Sequence, residues 1–310
     1  KLLMDILDVE WLSQDGFKSL PEDALEVLTD PGSGARQFDV LIFDEAQDVV
    51  TERYLETLEA LLKGGLKFGS WYAFGDFTKQ ALSVDGEEAD RSVARLMGDI
   101  DSPRAARLPL SINCRNTPRV ASFLEFLARP SSPYARVLRP DNHRGVTSKF
   151  WKNRDAQVSL LEEAINGLIE DGFYPHEIVV LSANAADDST ACQLARSTSE
   201  PVLAEFDDQA LDYLSGLADG HNSKVNGASA SEPDLHGSVR YTTIRKFKGL
   251  ESPAVVLTDF EEILSDHSSN LFYTGITRTT ESLTVLMHKG AQQDYARLLA
   301  QSQREVTPDD

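Results

Sequence analysis

Cysteine is scarce in this chain. Only Cys114 and Cys192 occur among 310 residues, too few for a disulfide framework, and a reducing cytoplasm is the expected setting. No apolar run approaches the ~20 residues that a membrane-spanning helix needs, so no membrane partner is expected. The N-terminus lacks the basic, apolar and small-residue succession of a signal peptide. No segment repeats at a fixed period. Positive charge is also short, with 30 Lys and Arg against 50 Asp and Glu and a net charge of −20. Such a charge repels nucleic acid at long range and confines any polyanion site to a local basic groove. What is present is a 41% hydrophobic content, enough for a substantial core and, at ~100–200 residues per domain, for two domains.

Strand and helix patterns alternate in both halves. Pro21 suits the first turn of a helix reaching about Leu28. Pro31-Gly32-Ser33-Gly34 then turns into an apolar strand at 39–43. Leu55, Leu58, Leu61 and Leu62 recur at helical spacing, and Trp71 to Phe74 reads as a second strand. Strand, helix, strand implies a parallel sheet. Arg107 to Leu110 reads as a third strand or a connector, and Thr117-Pro118 as the cap and first position of a helix. Residues 129 to 145 read as a loop, Ala156 to Glu170 as an amphipathic helix, and Ile178 to Leu181 as a buried strand. Arg240–Ile244, Ala254–Thr258 and a closing strand Ser282–Met287 follow, with a helix opening at Leu271. An acidic and then Ser/Gly-rich stretch over about 205–238 is expected to be a flexible loop.

The first strand, Val40-Leu-Ile-Phe43, suits burial on both faces of a parallel sheet and stops on Asp44-Glu45 and Gln47-Asp48. Carboxylates at the C-terminal end of such a strand lie where open α/β sheets bind ligands. Two adjacent acids suit a phosphate-bound Mg²⁺, one holding the metal and one orienting a water. A solvated acidic turn explains the same residues. Four further polar segments stand near strand ends: Gly75-Asp76 with Gln80, Asn113-Cys-Arg115-Asn-Thr117, Thr243-Ile-Arg245-Lys246-Phe-Lys248-Gly249-Leu-Glu251, and Thr274-Gly-Ile-Thr-Arg278-Thr.

In order and spacing these segments resemble superfamily 1 helicases of the UvrD/Rep type, over roughly residues 35 to 290. Asp44-Glu45-Ala-Gln-Asp48 resembles motif II (Walker B), Gly75-Asp76 with Gln80 motif III, and Asn113, Arg115 and Thr117 motif IV. Thr243 with Lys248-Gly249-Leu-Glu251 resembles motif V, and Thr274 to Thr279 motif VI. The resemblance implies RecA-like parallel sheets flanked by helices, an α/β fold of the P-loop NTPase type. It implies the C-terminal part of a first domain in residues 1–110 and a complete second domain in 111–310. It also implies roles. Asp44 would hold Mg²⁺ through water, Glu45 would activate the attacking water, and Gln80 would sense the γ-phosphate. Arg115 and Arg278 would act on the transferring phosphoryl group, where arginine fingers are worth ~10³–10⁵ in rate. Glu251, with Gly249 and Asn113, would contact the nucleotide. Thr243, Arg245 and Lys246 would meet the DNA backbone, and Phe77 is the candidate base-stacking platform.

Four departures bear on function. No Gly-x-x-x-x-Gly-Lys-Ser/Thr loop occurs, and the chain starts at Lys1. The expectation is a C-terminal part of an ATP-dependent helicase or translocase. Its partners would be single-stranded or tailed duplex DNA and the missing N-terminal part of the same protein. ATP and Mg²⁺ would then bind weakly or not at all to this part alone, which should not hydrolyse ATP. Cys114 stands where the family commonly has an aromatic, and Arg245 where it often has His. Only about 55 residues separate the Ile178 strand from Arg240, so the family's helical accessory subdomain is expected to be absent or vestigial. The alternative is a degenerate, non-catalytic helicase-like module that binds DNA or protein. Seven basic residues between Arg136 and Arg154 offer a nucleic-acid groove or a solvated face.

Overall fold

The computed structural model describes residues 2–7, 14–32, 37–49, 51–76, 96, 98–99, 102–103, 105–106, 108–128, 134–197, 203–206 and 237–306. It divides into two compact units, Lys1–Leu108 and Pro109–Asp310.

In the first unit, β1 (Val40–Phe43) pairs in parallel with β2 (Ser70–Ala73), with Phe43 opposite Ala73. The crossover contains the helix Glu52–Leu61, capped by Thr51, which buries Leu55, Leu58 and Leu61 on one side. Leu41, Leu62 and Leu66 join that core, and Phe43 stacks on Trp71 at 6.2 Å. The expectation of a strand buried on both faces does not hold for β1. Val40, Ile42 and Tyr72 are 48, 67 and 59% exposed, because the described helices pack on one side of the pair only. Pro21 also departs from expectation. It lies inside a helix that starts at Gln14 and runs to Thr29, and its carbonyl accepts a hydrogen bond from Thr57 at 2.8 Å. That bond pins the Pro-containing turn to the neighbouring helix. The short strands β3 (Gly98–Asp99) and β4 (Ser102–Pro103) pair antiparallel. Residues 108–111 form no strand.

The second unit opens with β5 (Ile112–Asn113), paired in parallel with β6 (Arg136–Val137). Its centre is a six-stranded sheet in the order β7-β12-β11-β8-β10-β9. The strands are β7 (Val146–Trp151), β8 (Ile178–Ser182), β9 (Leu203–Glu205), β10 (Val239–Thr243), β11 (Ser252–Phe260) and β12 (Thr279–His288). Every pairing is parallel, so the mixed α/β expectation of a parallel sheet flanked by helices holds here. Residues alternate between faces along each strand. Val180, Tyr241, Ala254, Val256 and Leu286 pack with Leu161, Ile165 and Leu168 of the helix Arg154–Glu170 and with Ala191 and Leu194 of Thr190–Ser197. On the other face the helix Asp266–Thr277 approaches so closely that a Cβ on Gly275 would stand 2.7 Å from Leu257.

Two strands differ from the sequence expectation. β12 does not close the sheet at an edge. It runs inside, between β7 and β11, with Val285, Leu286 and Met287 fully buried, as an interior parallel strand requires. β7 is an edge strand that the hydrophobic pattern did not announce, because Thr147, Ser148 and Lys149 break the apolar run. The loop expected at about 205–238, and with it any accessory subdomain, falls mostly outside the described residues.

Candidate functional site

The acidic turn of the first unit is built by β1 ending beside β2. Phe74 N donates to Phe43 O at 3.0 Å and Ala46 N to Phe74 O at 2.8 Å, so residues 43–46 and 74–76 are stitched together. Asp44 is exposed, and its Oδ1 accepts from the Glu45 amide at 2.9 Å. Glu45 sits at φ +47, a left-handed conformation uncommon for a residue with a Cβ and often kept where function demands it. Gln47, only 3% exposed, bridges the two motifs. Its Nε2 donates to the Glu45 carboxylate, and its Oε1 accepts from Asp76 N at 3.1 Å. Gly75 leaves room for that bridge, since a Cβ there would fall 2.3 Å from Gln47 Oε1. The sequence reading gave Gln47 no role. Its place between two acids in a strand-end turn was the signal. Gln80 and Phe77 lie outside the described residues.

In the second unit three segments converge. Asn113 locks the first: its Oδ1 accepts from the amides of Arg115 and Asn116, each at 3.0 Å, and its Nδ2 donates to Asn116 Oδ1 at 2.8 Å. Both ends of the side chain thus take part in shaping the turn. Asn116 and Thr117 tie this turn to β12 through Thr279 O and Thr280 O. Arg115 points to the second segment, its Nε 2.8 Å from Glu251 Oε2, with both side chains about half exposed. From the third, Arg278 donates to Thr274 O, Thr277 Oγ1 and Leu250 O, the last at 3.4 Å. Arg278 is only 2% exposed. Its guanidinium is enclosed here by backbone carbonyls and a hydroxyl rather than reaching outward. Gly249, at φ +91, lies just ahead of this contact.

The turn from 244 to 251 spans the sheet. Thr243 pairs with Ser182 at the C-terminal end of β8, while Ala254 pairs with Ile178 at its start. Arg245 and Lys246 thus stand exposed at one edge, and Glu251 at the other. Thr243 Oγ1 accepts from Lys246 N at 3.2 Å, which fixes the turn's first residues, and Arg245 Nη2 approaches His267 Nδ1 at 3.4 Å.

The basic run is largely consumed by internal pairs. Arg139 and Arg144 face Glu281, Lys149 pairs with Glu163 at 2.9 Å, and Arg154 pairs with Asp259 at 3.1 Å. Arg144 also lies over the Phe173 ring at 4.0 Å. These four therefore have internal acidic partners. Asp259 is itself unanticipated. At φ +67 in a β-bulge of β11, its buried carboxylate accepts from Ser182 Oγ at 2.7 Å, Gln157 Nε2 at 2.9 Å and Thr190 Oγ1 at 2.5 Å. An acid ending an apolar strand, as Asp44 does, was the available signal. Among the described residues no group of three or more His, Cys, Asp or Glu is placed to hold a metal ion, and no helix is long and apolar enough to cross a membrane.

Residues 238–286, which include the turn, Glu251 and Arg278, match the family model of the UvrD-like helicase C-terminal domain. That match covers 49 of the 310 residues. Among solved structures, the chain is similar to the C-terminal domain of a possible DNA helicase from Lactobacillus plantarum WCFS1. The identity is 16%, over 57% of this chain and 89% of that chain, with a TM-score of 0.38. No curated protein matches the chain.

Proposed function

We propose that the chain supplies two separated parts of an ATP-driven motor that moves on single-stranded DNA. The observation that carries this reading is the convergence of Arg115, Glu251 and Arg278 on one turn within and beside the matched segment. Arg115 is the exposed arginine available to a transferring phosphoryl group, and Glu251 the acceptor for the nucleotide's hydroxyls. Glu45, oriented by Gln47, positions the attacking water. Asp44 is a single exposed carboxylate, which fits Mg²⁺, an ion usually held by one or two carboxylates together with substrate phosphates. When bound, the ion would neutralise phosphate charge. The exposed face of Val40, Ile42 and Tyr72 leaves one side of β1 and β2 open beside the acidic turn.

DNA is assigned to the opposite edge of the sheet, at Thr243, Arg245 and Lys246. Against a net charge of −20, such binding depends on local phosphate contacts. Single-strand affinity of the 310-residue chain should therefore fall with salt. Each of Arg245→Ala and Lys246→Ala should flatten the log–log slope by ~0.7. Titration of a fluorescent oligothymidylate at several salt concentrations measures this, and an unchanged slope in both variants would remove the assignment.

A further inference from the structure

The Gly249–Glu251 turn touches both arginines of the proposed nucleotide site. Glu251 holds Arg115 through its side chain, and Leu250 holds Arg278 through its carbonyl. We propose that this turn is a latch, and that the polyphosphate of a nucleotide opens it by competing with Glu251 for Arg115. The inference rests on the nucleotide reading above and adds to it how the site is regulated.

Three features make the turn suited to move while its surroundings stay fixed. The Arg115–Glu251 pair is exposed on both sides, 45 and 54%, and ion pairs of that kind contribute little against solvent. A phosphate chain offers the guanidinium several charged oxygens in bidentate geometry and outcompetes one carboxylate. Meanwhile the backbone of Arg115 is anchored by Asn113 Oδ1, so the arginine stays in place when its partner leaves. Gly249 is the natural pivot. It sits at φ +91, and nothing lies within 4 Å of where its Cβ would be, so its neighbourhood leaves space for movement.

Release would then run in sequence. Glu251 swings from Arg115, the turn shifts, and Leu250 O leaves Arg278 Nη1, a bond already long at 3.4 Å. Arg278 keeps its bonds to Thr274 O and Thr277 Oγ1, which hold the side chain in place as the turn shifts. The turn's other end carries Arg245 and Lys246, so the same movement would reach the edge assigned to DNA.

The test is binding of inorganic tripolyphosphate to the purified 310-residue chain at low ionic strength, followed by amide chemical shifts. Four forms are compared: wild type, Glu251→Gln, Arg115→Gln and the double variant. Glu251→Gln should tighten binding by about 1.4- to 5-fold, the range an exposed pair is worth, and should lose that effect in the Arg115→Gln background. An equal gain in both backgrounds would mean a general charge effect and would overturn the latch alone. If Arg115→Gln leaves the affinity of Glu251→Gln unchanged, or if Glu251→Gln binds no tripolyphosphate at 10-millimolar order, the nucleotide reading of Arg115 falls and the latch with it. A thymidine octamer run in parallel distinguishes the phosphate source. A larger response to it than to tripolyphosphate would reassign Arg115 to the nucleic-acid backbone and overturn the proposal.

Discussion

Asp259 shows what a single buried charge does for the second unit. Its carboxylate receives Ser182 from β8, Gln157 and Arg154 from one helix, and Thr190 from the start of another. Charge-assisted bonds of this kind are about twice as strong as neutral ones, and removing the carboxylate leaves the Ser182 and Thr190 hydroxyls without their acceptor. Arg154 is 40% exposed and can turn to water, so the loss lies toward the low end of what a broken buried pair costs. Asp259→Ala should lower unfolding stability by about 3 kcal/mol, read from urea denaturation. Ser182 also accepts Ile244 N at 3.0 Å through its carbonyl, so loosening Asp259 should disturb the start of the turn that bears Arg245. Gln47 works in the same way in the first unit, where one amide joins Glu45 to Asp76.

Elements were legible in the sequence where their pattern was continuous. β8 and the centre of β11 are runs of Ile, Val, Leu and Ala buried in the sheet, and β10 buries Val239, Tyr241 and Thr242, while Asn153 caps the helix Arg154–Glu170 through a bond to Ala156 N at 3.0 Å. β7 was not legible, because an edge strand needs only one well-packed side and its Thr-Ser-Lys centre reads as loop. Of the candidate site, the motif positions were visible and the contacts were not. Nothing in the spacing of Arg115 and Glu251 says that they pair across 136 residues, or that Arg278 is enclosed. Pairing of this kind is set by tertiary packing, which periodicity does not report. The helix Asp266–Thr277 carries its own test. Glu262 accepts from the hydroxyls of Ser265 and Ser268, and from the amides of Ser265 and Leu264. Led by the Ser265 and then the Ser268 hydroxyl, these bonds bring its pKa from the usual 4.5 to about 2. A depressed folded-state pKa means that the stabilisation is complete above about 4.5 and is lost as pH falls through about 2. The melting temperature of wild type should therefore exceed that of Glu262→Gln by a constant amount above pH 4.5, and the gap should close toward pH 2. A gap independent of pH would contradict the assignment.

At the scale of the molecule, the proposed reading divides the motor's residues between the two units. The first carries the acidic turn with Asp44, Glu45 and Gln47, and the second carries Arg115, Glu251 and the enclosed Arg278. A single turn joins the sheet edge assigned to DNA with the edge assigned to nucleotide, which is how a change at one could be felt at the other. The sequence holds no phosphate-cradling loop of the Gly-x-x-x-x-Gly-Lys-Ser/Thr type, and positioning of the phosphates is a large demand of phosphoryl transfer. The most direct measurement is ATP hydrolysis by the purified 310-residue chain with and without single-stranded DNA, compared with Glu45→Gln. The account predicts no DNA-stimulated hydrolysis above background in either form. DNA-stimulated hydrolysis by wild type that Glu45→Gln abolishes would contradict it.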